Sequence, residues 1–322
     1  MRRAIAVGAL AVLLGGCVED LPTGALLDRP RVLGGRVVVR GDPTRAWPRA
    51  GEETRFEWRV AAPTAATWTS LLTVCVAAEA NVGIPGCAED PFALQLPSAP
   101  LADRAPDLAF TVPEGTEGRD LLIAGVLCAN GTPPPSISTE PPECEPVEQA
   151  TTTLVSTVLP VVDPERAENH HPTIRDETFV FDGERWDEPL VPLPQEGCAS
   201  VTGPRLPRVP YRDDPDDPSL FAFTSDPADR EEFLEDVLGQ DEPEVTREEL
   251  SVSHVADLGT INRLRTAIFD DEPPRPVEWA HPEDLDEVPE DGITVRFLFQ
   301  IRDRRGGADW TERAICLVPA DA

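Results

Sequence analysis

Ile293-Thr294-Val295-Arg296-Phe297-Leu298-Phe299-Gln300-Ile301-Arg302 is the stretch that sets the fold class of this chain. Ile293, Val295, Phe297, Phe299 and Ile301 fall on alternate positions, the period of a β-strand that buries one face. Asp303-Arg304-Arg305-Gly306-Gly307-Ala308-Asp309 follows, polar and carrying two glycines able to take positive φ, and Trp310 opens a return strand that ends near Cys316. The expectation is an antiparallel hairpin, with Arg304 and Arg305 at a solvated tip.

The same period runs outward from that hairpin. Phe56, Trp58 and Val60 alternate with Arg55, Glu57 and Arg59, and Trp68, Leu72, Val74 and Val76 line one side of residues 68–78. Further strands are expected over 36–40, 92–96, 108–112, 120–129 and 152–162. Seven short strands with turn signals between them fit an immunoglobulin-like β-sandwich spanning 29–162. Residues 131–146 hold six prolines and Cys144, a stiff surface excursion. A polar stretch without alternation, 163–172, reads as a linker. Beyond it, strands over 178–181, 209–211, 220–224, 250–258 and 276–279 precede the hairpin, giving a second sandwich over 173–322. One helix is expected near 228–238, with Asp226 as cap and Phe233, Leu234, Val237 and Leu238 as its apolar stripe. The fold class is all-β, two tandem immunoglobulin-like β-sandwich domains. With 36 prolines in 322 residues and 40% hydrophobic residues, short strands joined by turns suit the composition better than helices do.

The N-terminus supplies the address. Arg2 and Arg3 precede about eleven apolar residues, and Leu14-Gly15-Gly16-Cys17 closes the run. This is the anatomy of a lipoprotein signal peptide over 1–16, too short for a membrane span, which needs ~20 residues. Cleavage would leave Cys17 as the first residue, lipidated on its thiol and acylated on its amine, with 17–28 as a tether. Acyl chains at ~0.8 kcal/mol per buried CH₂ would hold the protein at a membrane without any spanning segment. Val18, rather than Asp, after the cysteine directs it to the outer membrane, facing the periplasm or the cell exterior.

The other six cysteines, Cys75, Cys87, Cys128, Cys144, Cys198 and Cys316, are even in number, and an exported chain meets an oxidising compartment. Fifteen pairings are formally open. Sequence locality favours Cys75 with Cys87 and Cys128 with Cys144, each worth about 3 kcal/mol in the chain-entropy model, which leaves Cys198 for Cys316. No C-x₂-C spacing suggests zinc.

The formal net charge is −31, and loss of Arg2 and Arg3 with the signal peptide takes it to −33. Such a surface opposes nucleic acid and anionic headgroups, both of which require cationic neutralisation.

The lipobox, Arg29-Pro30-Arg31-Val32-Leu33, the strand with Trp68 and Cys75, His171-Pro172-Thr173-Ile174, the strand from Ser251 to Gly259 and the closing Arg302-Asp303-Arg304-Arg305-Gly306-Gly307-Ala308-Asp309-Trp310 together resemble a family of myxobacterial-type predicted lipoproteins. The closing turn is also similar to the Asp- and Gly-rich end of polycystic-kidney-disease-type domains. The resemblance implies tandem sandwiches on a lipid tether and supplies no catalytic residue. His254 and Arg304 depart from it, standing where an aromatic residue and a glycine are usual.

No nucleophile elbow, zinc-binding H-E-x-x-H or phosphate-binding glycine loop occurs. Ser253, His254 and Asp257 resemble a triad only in composition, since on a strand His254 faces away from the other two. His170 and His171 are adjacent in an extended stretch and point apart, so no metal is expected there. Asp213-Asp214-Pro215-Asp216-Asp217 and Glu283-Asp284-Leu285-Asp286-Glu287 offer calcium-type oxygens without calcium-loop spacing. The reading is a non-catalytic, envelope-anchored lipoprotein without cofactor, whose partner is the membrane through its lipid and an envelope protein or glycan. Its alternatives are a polysaccharide hydrolase using acidic pairs such as Asp270-Asp271 or Asp182 with Glu184, and a calcium-dependent adhesion module.

Overall fold

The computed structural model describes residues 25–78, 85–96, 99–135, 142–163, 168–189, 193–200, 206–214, 216–224, 230–235, 244–268, 275–283, 285 and 288–320. Cys17 and the acidic pair Asp270-Asp271 lie outside them. The described residues are all-β, with only two single-turn 3₁₀ segments, at Asp176–Thr178 and Cys198–Ser200.

Pairing among the named strands stays within each half of the chain. In the first half β1 (Arg31–Val39), β2 (Glu53–Ala61) and β6 (Leu108–Thr111) form one sheet in the order β1-β2-β6. The facing sheet runs β4 (Ala93–Gln95), β3 (Thr67–Val76), β7 (Asp120–Ala129), β8 (Thr151–Pro160), and β5 (Leu101–Ala102) also pairs with β3. Phe56, Trp58 and Val37 from the first sheet interdigitate with Trp68, Leu72, Leu121 and Leu127 from the second in one buried core. Two antiparallel sheets exchanging consecutive strands across such a core make a β-sandwich of the immunoglobulin type.

The second half repeats the plan with five-stranded sheets. One is β10 (Glu184–Arg185), β9 (Phe179–Phe181), β12 (Ser219–Phe223), β18 (Val277–Ala280), β16 (Thr260–Ile261). The other is β11 (Arg208–Pro210), β20 (Ala308–Val318), β19 (Ile293–Arg302), β15 (Leu250–Ala256), β17 (Arg265–Ile268), with β11 parallel to β20. The alternation read in Ile293–Arg302 is that of β19, which pairs with β20 from Ile293↔Leu317 to Arg302↔Ala308. Its inward Phe297 and Phe299 meet Trp186, Phe181 and Phe221 in edge-to-face contacts, Trp186 to Phe297 at 5.0 Å between centroids. Such pairs add about 0.5–1.5 kcal/mol each beyond area burial. Trp186 is wholly buried, and its Nε1 donates to Ala314 O at 2.9 Å, so the ring costs no unpaired donor.

Three disulfides staple the sandwiches: Cys75–Cys87, Cys128–Cys144 and Cys198–Cys316, with Cα separations of 5.6, 5.7 and 5.7 Å. The third ties the 3₁₀ turn at Cys198 to β20 across 118 residues.

Two expectations change. The helix proposed near 228–238 is instead, where described, β13 (Glu232–Glu235) paired antiparallel with β14 (Glu244–Arg247); Asp226, Val237 and Leu238 lie outside the described residues. A two-stranded ladder satisfies the backbone of this charged segment by pairing with a run that begins only at Glu244, a partner the helical spacing of its apolar residues does not reveal. The tether read over 17–28 is also partly bound. Leu26 bridges Ala256 in parallel, Leu27 N donates to Ala256 O at 2.7 Å, and Ala25 and Leu27 are each 2% exposed. The segment preceding the first sandwich is therefore docked on β15 of the second.

Candidate functional site

Residues 168–172 of the polar stretch and the hairpin 303–309 come together where the two halves meet. Ala46 N donates to Asn169 O and His171 N to Thr44 O, each at 2.7 Å, so the backbone around Asn169 and His171 is laced to the first half. Asn169 is wholly buried, and its Nδ2 donates to Asp303 Oδ2 at 3.0 Å. His171 bridges the halves: Ala308 N donates to its Nδ1 at 3.0 Å, which fixes the proton on Nε2, and Nε2 donates to Val37 O at 2.7 Å. Burial holds this imidazole below its ordinary pKa. The linker is thus a seam, with hydrogen bonds to both sides.

The hairpin tip differs from the solvated turn expected of it. Arg304 is exposed and pairs with Glu249 at 2.6 Å, but the Arg305 side chain is only 9% exposed. Its guanidinium stacks over Trp47 at 4.7 Å and Phe233 at 4.4 Å, and Nη1 lies 3.1 Å from Glu248 and 3.3 Å from Glu231. Trp47 Nε1 returns a hydrogen bond to Arg305 O at 2.7 Å. The turn that aims Arg305 inward is built by Asp303, whose Oδ1 accepts from Arg305 N and Gly307 N at 2.8 and 2.7 Å. Gly307 is required there, because a Cβ would lie 2.2 Å from Asp303 Oδ2 and 2.9 Å from His170 O.

This cluster also carries unusual protonation. Glu248, 2% exposed, is pushed up to about 7, by burial first and then by the negative charge of Asp303, against the pull of Arg305. Asp303 is likewise raised by burial. His170 Nδ1 meets Glu231 Oε1 at 2.5 Å. These carboxyl groups and the buried Arg305 guanidinium, with Arg230 Nε donating to Glu248 O at 2.6 Å, form an inward-facing electrostatic lock.

A second device joins the halves along β1. Among the described residues its outer edge has no paired strand, and instead Leu33 O accepts from the Arg302 guanidinium while Val37 O accepts from His171. Arg36 adds an ion pair to Asp309 at 2.8 Å and lies over the Trp310 ring at 4.4 Å. Arg59 reaches Glu312 at 3.2 Å, beside a cleft of about 340 Å³ between the halves.

The other residues singled out in the sequence stay apart. His254 lies wholly buried among Phe221, Phe223 and Phe299, while Asp257 is engaged by Arg296, accepting from its N and Nε at 2.8 and 2.7 Å. Ser253, His254 and Asp257 therefore form no relay. Asp182 adopts φ 46° and Gly183 φ 84° in the two-residue turn between β9 and β10, and Asp182 Oδ1 accepts from Leu220 N at 2.7 Å. Its neighbour Glu184 is exposed beside an open groove of about 700 Å³. Asp214 Oδ1 accepts from Asp216 N at 2.9 Å, as in a side-chain-closed turn. Among the described residues no group of three His, Cys, Asp or Glu side chains is arranged to hold a metal ion. Likewise, no described helix is long and apolar enough to cross a membrane.

No protein-family model matches this chain, and no curated protein matches it.

Proposed function

We propose that the protein is a non-catalytic lipoprotein of a bacterial envelope, anchored through Cys17 to the outer membrane and facing the periplasm or the exterior, with a structural or binding role toward an envelope protein or glycan. The observation that carries this reading is the run Leu14-Gly15-Gly16-Cys17 ahead of a fold in which all six remaining cysteines are joined in disulfides. Disulfides persist in oxidising compartments, and a short apolar leader ending in cysteine leads to one. The resemblance to myxobacterial-type lipoproteins points the same way. The inward-facing polar cluster around Arg305 supports a body whose charged residues hold two sandwiches in fixed relation, with its loops left to meet a partner.

Metabolic labelling with an alkyne fatty acid tests the anchor. The intact protein is expected to take up label and partition into the membrane fraction, and Cys17→Ser is expected to lose both. An unlabelled protein that retains residues 1–16 and six free thiols would overturn the proposal.

A further inference from the structure

Among the described residues, sheet edges are guarded with one exception. β10 and β16 are two residues long, β4 and β11 three, and β6, β13, β14 and β17 four, too short to template another strand. β1 is nine residues long, but Arg302 and His171 occupy its outer carbonyls. β8 is ten residues long and, among the described residues, pairs only with β7. Its sequence, Thr151-Thr152-Thr153-Leu154-Val155-Ser156-Thr157-Val158-Leu159-Pro160, carries no charge in a chain that is 27% charged. It is rich in β-branched residues and has no proline before its last position. Natural edges of this length are usually blunted by charge in their own sequence; this one carries none and opens on a cleft of about 390 Å³ shared with Gly34, Gly35, Arg302 and Asp303.

The register defines what the open edge offers. Ala77 N donates to Asp120 O and Val161 N to Arg119 O, so Asp120 directs its carbonyl toward β3, and its β8 partner Pro160 faces away from β7. Alternation then gives the free backbone groups to Thr152, Leu154, Ser156 and Val158. The same four side chains are exposed, Leu154 at 59% and Val158 at 39%.

We propose that β8 is a self-association strand that pairs antiparallel with β8 of a second copy about a two-fold axis at Ser156. In that register Ser156 faces its own copy, each Leu154 faces a Val158, and each Thr152 faces a Pro160, whose missing N–H is needed least at the end of the ladder. Both exposed apolar residues are covered by one operation, the signature of an isologous contact. The charge pattern favours the same occupant. Two bodies of net charge −31 repel each other over most orientations, and a strip uncharged from Ala150 to Val162 is where their approach costs least. This association does not depend on the lipid anchor.

Cysteine cross-linking of the full-length protein in detergent, under a mild oxidant, tests the register. Ser156→Cys is expected to give a disulfide-linked dimer that reductant dissolves. Val158→Cys is expected to give at least tenfold less, because its two copies would stand about 13 Å apart along the strands. Light scattering should find the unmodified protein dimeric and the Leu154→Glu/Val158→Glu variant monomeric with an unchanged circular dichroism spectrum. Monomeric unmodified protein, equal cross-linking at both positions, or a Ser156→Cys product joined to a different protein would each overturn the proposal.

Discussion

Replacing His254 by leucine removes an ionisable group from the centre of the second core while keeping an apolar side chain of similar bulk. The imidazole is wholly buried, neither ring nitrogen has a hydrogen-bond partner among the described residues, and Phe221, Phe223 and Phe299 surround it. Burial lowers its pKa to about 4; the backbone of Arg263 opposes this only in part and falls short of hydrogen-bond geometry. In the unfolded chain the pKa returns to about 6.5, so below that value the unfolded state binds the extra proton and the folded state is penalised. The penalty is absent above pH 6.5, reaches about 2 kcal/mol at pH 5 and about 3 kcal/mol at pH 4. His254→Leu abolishes it. At pH 7.5 the substitution relieves desolvated nitrogens, worth about 1–3 kcal/mol, and gives up ring contacts worth about 0.5–1.5 kcal/mol, so it is neutral to mildly stabilising there. Urea denaturation of both proteins at pH 7.5 and pH 5, disulfides intact, reads the difference directly, because every other titrating group is common to the two. The gap between variant and parent should widen by about 2 kcal/mol in favour of the variant at pH 5. Parallel pH profiles would mean that the imidazole reaches solvent or a partner, and the reasoning would fail.

Glu248 should show the opposite sign: its folded pKa is raised to about 7, so stability is lost as pH rises from 4.5 through 7, and Glu248→Gln should gain on the parent by at most about 3 kcal/mol between pH 4.5 and pH 8 in the same assay. Arg305→Leu removes the guanidinium that lies between Glu248 and Glu231 together with its stack on Trp47 and Phe233, at a cost of about 3–5 kcal/mol in urea denaturation; a loss below 1 kcal/mol would show that the lock is solvated. Opening the disulfide across 118 residues with Cys198→Ala and Cys316→Ala should lower stability by about 4–5 kcal/mol, whereas opening Cys75–Cys87 should cost nearer 3 kcal/mol, as measured by denaturation of the two variants side by side.

The sheets were legible where one face is buried against a long partner. In β2 and β19 the alternation survives because solvent takes every second residue or the strand sits at the centre of its sheet, and β7 was bounded by sequence at 120–129, its bounds in the structure. Two-residue strands such as β5, β10 and β16 hold a single period, with no repeat to recognise, and leave no trace in the sequence. The segment around Phe233 and Leu234 has apolar spacing that suits a helix as well as a strand, and the choice is made by β14, which a local window does not include. The Arg305 cluster was hidden for a different reason. Its partners Trp47 and Glu231 lie 258 and 74 residues away, so a basic, glycine-containing turn looks solvated until both halves are assembled around it. For His254, strand parity put the side chain on the apolar face, and that inference needs only its immediate neighbours.

The docking of Ala25 and Leu27 on β15 acts as a ruler. On the proposal that Cys17 carries lipid, the chain from Cys17 to Ala25 could extend at most about 28 Å, which would keep the point where Ala25 docks on the second sandwich within that standoff of the bilayer. A partner of such an anchored protein would have to come down to the membrane rather than be reached from it, and lengthening the leash by inserted residues would trade that proximity for range.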